Sequence, residues 1–483
     1  MQKPRVILIY ALAGATIFLV ARGLGWYANR KAIVQLQRQV IDRVEELDGY
    51  AYYDFQIVNA GLPAERIADL DDPELTRHWL SGWFGIEWFH ELKYVTFAQF
   101  DGVPGDGGQA APRSEISDQQ ILPLLKLKTI KWWALSGTAV TDECVAEIVD
   151  ELQPERMWLG QTQISDKCLD VLSGCDSLRY LAIEATSTTD KGLEALSKSA
   201  DLRSLSLGSP FYTAKGIRTL GSLKSLESLY LDRLPVASSM QEIASLKSLK
   251  TLSLRGTGIG DKELSLLASL NDLEVLHVDS TLIGDSGMKA AKAWKSLREL
   301  TARGTLLSDT GLEHLSECEQ LERLEISGSA STLPGVINLL QQEQGRTLEE
   351  SLGVVFETEV SDNGKLLSLD LSPVRMSDEH VELLKPLQDL QWLKMPNNRL
   401  SQAGVEALVN LRFARLQLLN IDGAQIGDEA LSDLSKLDSL RNLHVVGTSV
   451  TAEAIQKLRD EKPTLQVYLK PVRKRIVGKN TNE

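Results

Sequence analysis

The chain has 483 residues, of which 43% are hydrophobic and 24% charged, and this excludes a globally disordered protein. Its 52 Lys and Arg stand against 66 Asp and Glu, a net charge of −14, which argues against a general nucleic-acid binder with its basic footprint. Four cysteines in so long a chain exclude a disulfide-dense scaffold.

Lys3 and Arg5 precede an almost unbroken apolar run, Val6–Ala21, which is followed by Arg22 and Gly23–Tyr27. Val6 to Gly25 is 20 residues, about 30 Å as a helix, or one bilayer core. Arg22 can reach the headgroups by its long stem, and Trp26 and Tyr27 suit the interfacial belt. Residues 1–31 are therefore read as a transmembrane anchor. A cleaved signal peptide is the competing reading, with Ala21 and Gly23 as small residues at the cut, but Arg22 between them opposes it. Basic residues flank the run on both sides, so the positive-inside rule is nearly balanced. The expected placement is a single-pass protein of the cell envelope, with its large domain outside the cytoplasm.

Residues 32–91 read as a helical stalk and an aromatic cap. Ile33, Leu36, Val40, Ile41, Val44 and Leu47 have helical spacing, and Gly49 stops the helix. Tyr50–Phe55 reads as a short strand and Glu74–Trp88 as a second helix. Residues 50–100 hold 12 of the chain's 28 aromatics, as suits a segment that must close the open end of a stack.

From residue 92 to 469 one frame returns. Its clearest copies are Leu249-Lys-Thr-Leu252-Ser-Leu254-Arg-Gly-Thr257-Gly-Ile259-Gly-Asp261 and Leu273-Glu-Val-Leu276-His-Val278-Asp-Ser-Thr281-Leu-Ile283-Gly-Asp285. Frame starts fall at 130, 154, 178, 202, 226, 249, 273, 297 and 321, then at 366, 390, 416, 440 and 465, with a first strand at Leu92. The alternating L-x-L is a half-buried strand, and the following L-x-x-L-x-x-L, as in Leu264, Leu267 and Leu270, is a helix stripe. One strand and one helix per 24 residues, stacked in order, give a parallel sheet on one wall and helices on the other. The helix layer is wider than the strand spacing of about 4.8 Å, so the sheet is expected on the concave side.

The pattern L-x-x-L-x-L-x-x-T-x-I-x-D-x-x-L-x-x-L-x-x-L resembles the leucine-rich repeat superfamily, and within it the cysteine-containing subtype with Thr in place of Cys. The anchor, stalk, cap and Thr-Asp repeats together are similar to membrane-anchored leucine-rich repeat proteins of planctomycete bacteria. The resemblance implies an α/β fold, a right-handed solenoid with a concave parallel sheet and convex helices, and an interaction role without a reaction.

Asp142, Asp166, Asp190, Asp261, Asp285, Asp309, Asp378 and Asp428 recur at one frame position ahead of a helical run and are expected to cap helix N-termini rather than to bind metal. Thr138, Thr162, Thr186, Thr257, Thr281, Thr305 and Thr448 form a second column whose hydroxyls are expected to bond turn backbone. The frame breaks at 328–365, where two strands around Asn363-Gly364 suggest a degenerate repeat with an outward insertion. Cys175 and Cys318 fill large-apolar slots and are expected to be buried. Cys144 and Cys168 lie 24 residues apart, at equivalent sites on adjacent coils, so a disulfide between them stays open. The six histidines show no metal-binding spacing and no catalytic motif is present, so no cofactor and no metal are assigned.

With the first Leu at offset zero, side chains at offsets two, four and six should face solvent on the concave wall. This places Trp132, Trp158, Tyr180 and Tyr230 there, beside an open floor at Gly160, Ser204, Ser206, Gly208 and Ser228. At offset six Asp232, Arg255, Asp279 and Arg303 alternate in sign, flanked by His277 and Arg323. The expected partner of this wall is a protein or peptide; a glycan stacked on the rings and a solvated, self-paired face are the alternatives. Residues 470–483 read as a basic tail.

Overall fold

The computed structural model describes residues 26–54, 90–97, 113–341, 358–360 and 366–469. The expected membrane span Val6–Gly25, the helix expected at Glu74–Trp88, the Asn363-Gly364 turn and the basic tail lie outside the described residues. Among the described residues no helix is long and apolar enough to cross a membrane. The chain forms two compact units, Met1–Leu234 and Pro235–Glu483.

In the first unit a helix over 26–45 buries Val34, Gln37, Val40 and Val44 along one stripe. It is longer than the expected stalk and is not free-standing. Gln37 is fully buried, and its side-chain amide accepts from Leu92 N at 3.3 Å and donates to His90 O at 3.4 Å. Arg30 donates to His90 O at 2.9 Å. The helix thus satisfies backbone groups at the start of the first strand. Past the helix, Gly49 allows a close approach, since a Cβ there would stand 2.8 Å from Thr96 O and from the Phe97 ring. Tyr50–Tyr53 then pairs antiparallel with Leu92–Thr96 and covers the edge of the sheet.

The parallel ladder continues through Trp132–Ala134, Arg156–Trp158, Tyr180–Glu184, Ser204–Gly208 and Ser228–Tyr230. In the second unit Thr251–Ser253, Val275–His277, Glu299–Thr301 and Arg323–Glu325 form one parallel run. A second sheet opens with Thr358–Val360 antiparallel to Leu366–Asp370 and continues in parallel through Trp392–Lys394, Leu418–Asn420, Asn442–His444 and Gln466–Tyr468. At the frame break the expected pair of antiparallel strands is present. Leu443 pairs with Val467, so the last frame begins at Thr464 rather than 465.

Most strands leave through a left-handed turn at offset seven, held for example by Gly256 at φ +65° and by Gly304 at φ +63°. Ala185, at φ +52°, takes the same conformation without that freedom. The threonine column closes these turns as expected: Thr257 Oγ1 donates to Leu254 O at 2.6 Å and Thr162 Oγ1 to Leu159 O at 2.6 Å.

The aspartate column works differently from expectation. Each Asp stands in the first turn of its own helix, and its carboxylate grips the residue that caps the helix of the following coil. Asp142 Oδ1 accepts from Ser165 N at 2.7 Å and Oδ2 from Ser165 Oγ at 2.6 Å. Asp285 holds Ser308 at 2.8 and 2.6 Å, and Asp309 holds Thr332 at 2.7 and 2.6 Å. Where the cap is Gly284, only its N–H is available and Asp261 takes it at 2.7 Å. These are charge-assisted bonds between coils, which local capping would not supply.

Candidate binding face

The strand residues sort into rows that run across the ladder. Leu249, Leu252 and Leu254, at offsets zero, three and five, are fully buried on the helix side, as are Leu273, Leu276 and Val278 one coil later. Register pairs Leu252 with Leu276 and Leu276 with Leu300, one frame apart at each step. These coils have the strand-and-helix frame of a leucine-rich repeat.

No protein-family model matches the chain, and no curated protein matches it. Among solved structures, an internalin of Listeria monocytogenes is similar at 16% identity over 79% of this chain and 87% of that one, with a TM-score of 0.39. A leucine-rich repeat protein of Leptospira interrogans is similar at 16% identity over 68% of this chain and 92% of that one, with a TM-score of 0.40. A plant peptide hormone receptor, RGFR1 in complex with RGF2, is similar at 14% identity over 72% of this chain and 71% of that one, with a TM-score of 0.40.

On the open face of these repeats, offset four is not a solvent position. Ser253 is fully buried, His277 is 9% exposed and Thr301 is 1% exposed. Side chains one strand apart, about 4.8 Å, cover one another across the row. The same crowding revises the aromatic site. Trp132 and Trp158, expected to stand in solvent, are each 8% exposed and form a second apolar cluster with Tyr94, Ala134 and Ala182. In their row Trp158 lies between two small residues, Ala134 and Ala182, which leave room for its ring. Ring centroids link Tyr52 to Tyr94 at 5.4 Å, Tyr94 to Trp132 at 6.1 Å and to Trp158 at 5.8 Å, and Trp158 to Tyr180 at 4.6 Å. Arg156 covers Trp132 from 4.3 Å, and Trp132 Nε1 donates to Glu155 at 3.2 Å. Burial works to raise the Glu155 pKa, but its bonds to Trp132 and Lys93 hold it below its ordinary value.

Beyond the cluster the floor opens. Tyr180, Ser204 and Ser228 are adjacent at offset two, and Ser206 and Tyr230 at offset four, all half-buried except Ser206, which is buried. The two tyrosines are close enough for Tyr230 to raise the Tyr180 pKa, after burial, which raises it most. At the end of this floor lies Glu184, a residue the sequence reading passed over although it occupies offset six beside the Gly160 and Gly208 that the reading named. Ser206 Oγ donates to Glu184 Oε1, and Oε2 lies 3.1 Å from where a Cβ on Gly160 would stand. Burial raises the Glu184 carboxyl above its ordinary value; Asp232 adds to the rise and Ser206 opposes it.

The charge ladder of the second unit closes on itself. Arg255 Nε meets Asp279 Oδ2 at 3.1 Å, and Asp279 also accepts from Thr301 Oγ1 at 2.8 Å and Arg303 N at 2.7 Å. Arg303 and Arg323 both pair with Glu325, and Arg323 also stands 3.7 Å from Glu299. His277 Nδ1 is hydrogen-bonded to Thr301 Oγ1 at 3.0 Å. The alternating charges from Arg255 onward are thus a set of lateral pairs, as opposite charges on adjacent strands favour. Trp392, at offset two of its frame, is 41% exposed and was also missed; the same offset rule finds it. Among the described residues no group of His, Cys, Asp and Glu is arranged to hold a metal ion.

Proposed function

We propose that the protein is a non-enzymatic interaction module that binds a protein or peptide through the open sheet face of its first unit. The carrying observation is the contrast between the two faces. Charges on the second unit's face from Arg255 to Glu325 are paired with one another, whereas the floor between Tyr180 and Tyr230 carries hydroxyls, aromatic walls and a half-buried carboxylate. Aromatic residues beside unfilled polar floor are the composition of a binding centre. The rings of Trp132 and Trp158 form its rigid wall rather than its contact surface. The apolar run Val6–Gly25 supports display of this module from a membrane.

The test is selection of a displayed dodecapeptide library on the purified full chain, alongside Tyr180→Ser and Tyr230→Ser. Enrichment on the parent that falls at least tenfold on both variants supports the reading. Absence of enrichment, or enrichment indifferent to both substitutions, rejects it, and selective retention of displayed glycans would replace the peptide by a sugar. Retention of the full chain in the membrane pellet after an alkaline wash tests the anchor, and its release would reject it.

A further inference from the structure

Glu184 differs from the open-face carboxylates that carry ion pairs. Asp279 is matched by Arg255, Glu299 by Arg323, Glu325 by Arg303, and Asp370 by Lys394 at 3.5 Å. In the first unit Glu155 is matched by Lys93 at 3.3 Å. Among the described residues no ion pair reaches Glu184, whose bonds are to the Ser206 hydroxyl and to its own backbone. Arg156, on the same wall, is spent on aromatic faces, 4.3 Å from the Trp132 ring centre and 6.0 Å from that of Tyr180.

The surroundings are shaped for an incoming cation. The flanking offset-six positions are Gly160 and Gly208, so no side chain from either neighbouring coil covers the carboxylate laterally. Tyr180, four residues earlier on the same strand, brings an aromatic ring close enough for the Glu184 charge to raise its hydroxyl pKa, after burial, and Tyr230 stands across the serine floor. A desolvated carboxylate without a counter-ion is costly to keep, and such groups concentrate where a ligand completes them. A planar guanidinium fits a carboxylate and an aromatic wall at once better than a compact ammonium does.

The geometry points to Glu184 as the anchor for an arginine side chain of the partner peptide, with Tyr180 flanking the guanidinium and Ser206 holding the carboxylate in place. This rests on the reading of the face as a peptide site and adds the chemistry of one contact. Binding completes an ion pair that the free protein lacks, and Glu184 gives up any proton it carries as the guanidinium arrives.

The experiment titrates the full chain, labelled with 3-fluorotyrosine, with acetyl-arginine methylamide and with its neutral isostere acetyl-citrulline methylamide. The expected result is a saturable shift of the Tyr180 resonance with arginine, an affinity at least tenfold above that for citrulline, and loss of that preference in Glu184→Gln. Glu184→Gln keeps an acceptor for Ser206, and a cooperative unfolding transition at or above the parent's shows that it is folded. Equal response to the two probes, no response to either, or a preference that survives Glu184→Gln overturns the assignment. Peptides captured in a Tyr180- and Tyr230-dependent way without any arginine preference would sink this contact while leaving the peptide site standing.

Discussion

Asp166 and Thr189 sit on successive coils, and one carboxylate serves both polar groups of the other residue: Thr189 N donates to Oδ1 and Thr189 Oγ1 to Oδ2, each at 2.7 Å. Thr189 in turn caps its own helix, accepting from Lys191 N at 3.3 Å. The chain of bonds runs from one coil into the helix start of the next, so the repeat is sewn together along its length by polar contacts as well as by leucine packing. It also explains a glycine. Gly192 lies on the coil that receives Asp166, and a Cβ there would stand 2.5 Å from Asp166 Oδ1.

Removing the carboxylate leaves the Thr189 N–H without its acceptor. Asp166→Ala is expected to cost about 1–3 kcal/mol, whereas Asp170→Ala, on the exposed side of the same helix, should stay within about 0.5 kcal/mol. Gly192→Ala should destabilise despite the helix preference for alanine, by about 1–3 kcal/mol of overpacking. Urea unfolding of the two single variants and the double variant checks both. The double variant should cost less than the sum, because the Cβ and the carboxylate occupy one space.

Trp158 behaves as core rather than as a contact residue. Trp158→Ala should cost about 3–5 kcal/mol, like other large buried aromatics. Trp392→Ala, at an exposed ring, should cost much less. Equal losses in denaturant titration would mean that the aromatic cluster does not pack in solution.

Glu184 ties stability to pH. Burial raises its folded-state pKa above the ordinary 4.5, so the folded protein holds a proton that the unfolded chain releases. The penalty is absent below the ordinary value, grows as pH rises through the folded value, and is then constant. Glu184→Gln should therefore be more stable than the parent at pH 7 and indistinguishable from it well below pH 4.5. Thermal unfolding across that range checks the sign, and a parent more stable than Glu184→Gln at pH 7 contradicts it.

The cysteines are free and buried. Burial, with Asp118 second, pushes the Cys144 thiol up to about 12, and burial with Asp142 pushes Cys168 well above its usual range. Neither forms the thiolate that attacks alkylating agents. Iodoacetamide at pH 8 should modify Cys144 and Cys168 only at the rate of unfolding, measured by mass spectrometry against denaturant concentration. Rapid labelling of the folded chain would show that the thiols are open.

Local pattern alone determined the strand and helix of each coil, the leucine core and the threonine-closed turns, because those depend on side-chain periodicity and on bonds spanning three residues. It also located the antiparallel strands at the frame break, where Asn-Gly between apolar runs is a local signal. What it misjudged involves neighbours one coil away. Trp132, Trp158 and Ser253 alternate outward as expected, yet they are covered, because residues 24 positions distant stand one strand spacing to each side. The aspartates stand at helix starts, one residue past the cap, but their acceptor atoms turn to the next coil's cap, a choice set by coil stacking. Glu184 looked like any surface glutamate; only the register that flanks it with Gly160 and Gly208, and leaves no cation beside it, makes it a candidate site. A one-dimensional repeat fixes which side chains a coil presents, whereas burial, charge pairing and proton affinity are properties of rows, which exist only once the coils are stacked.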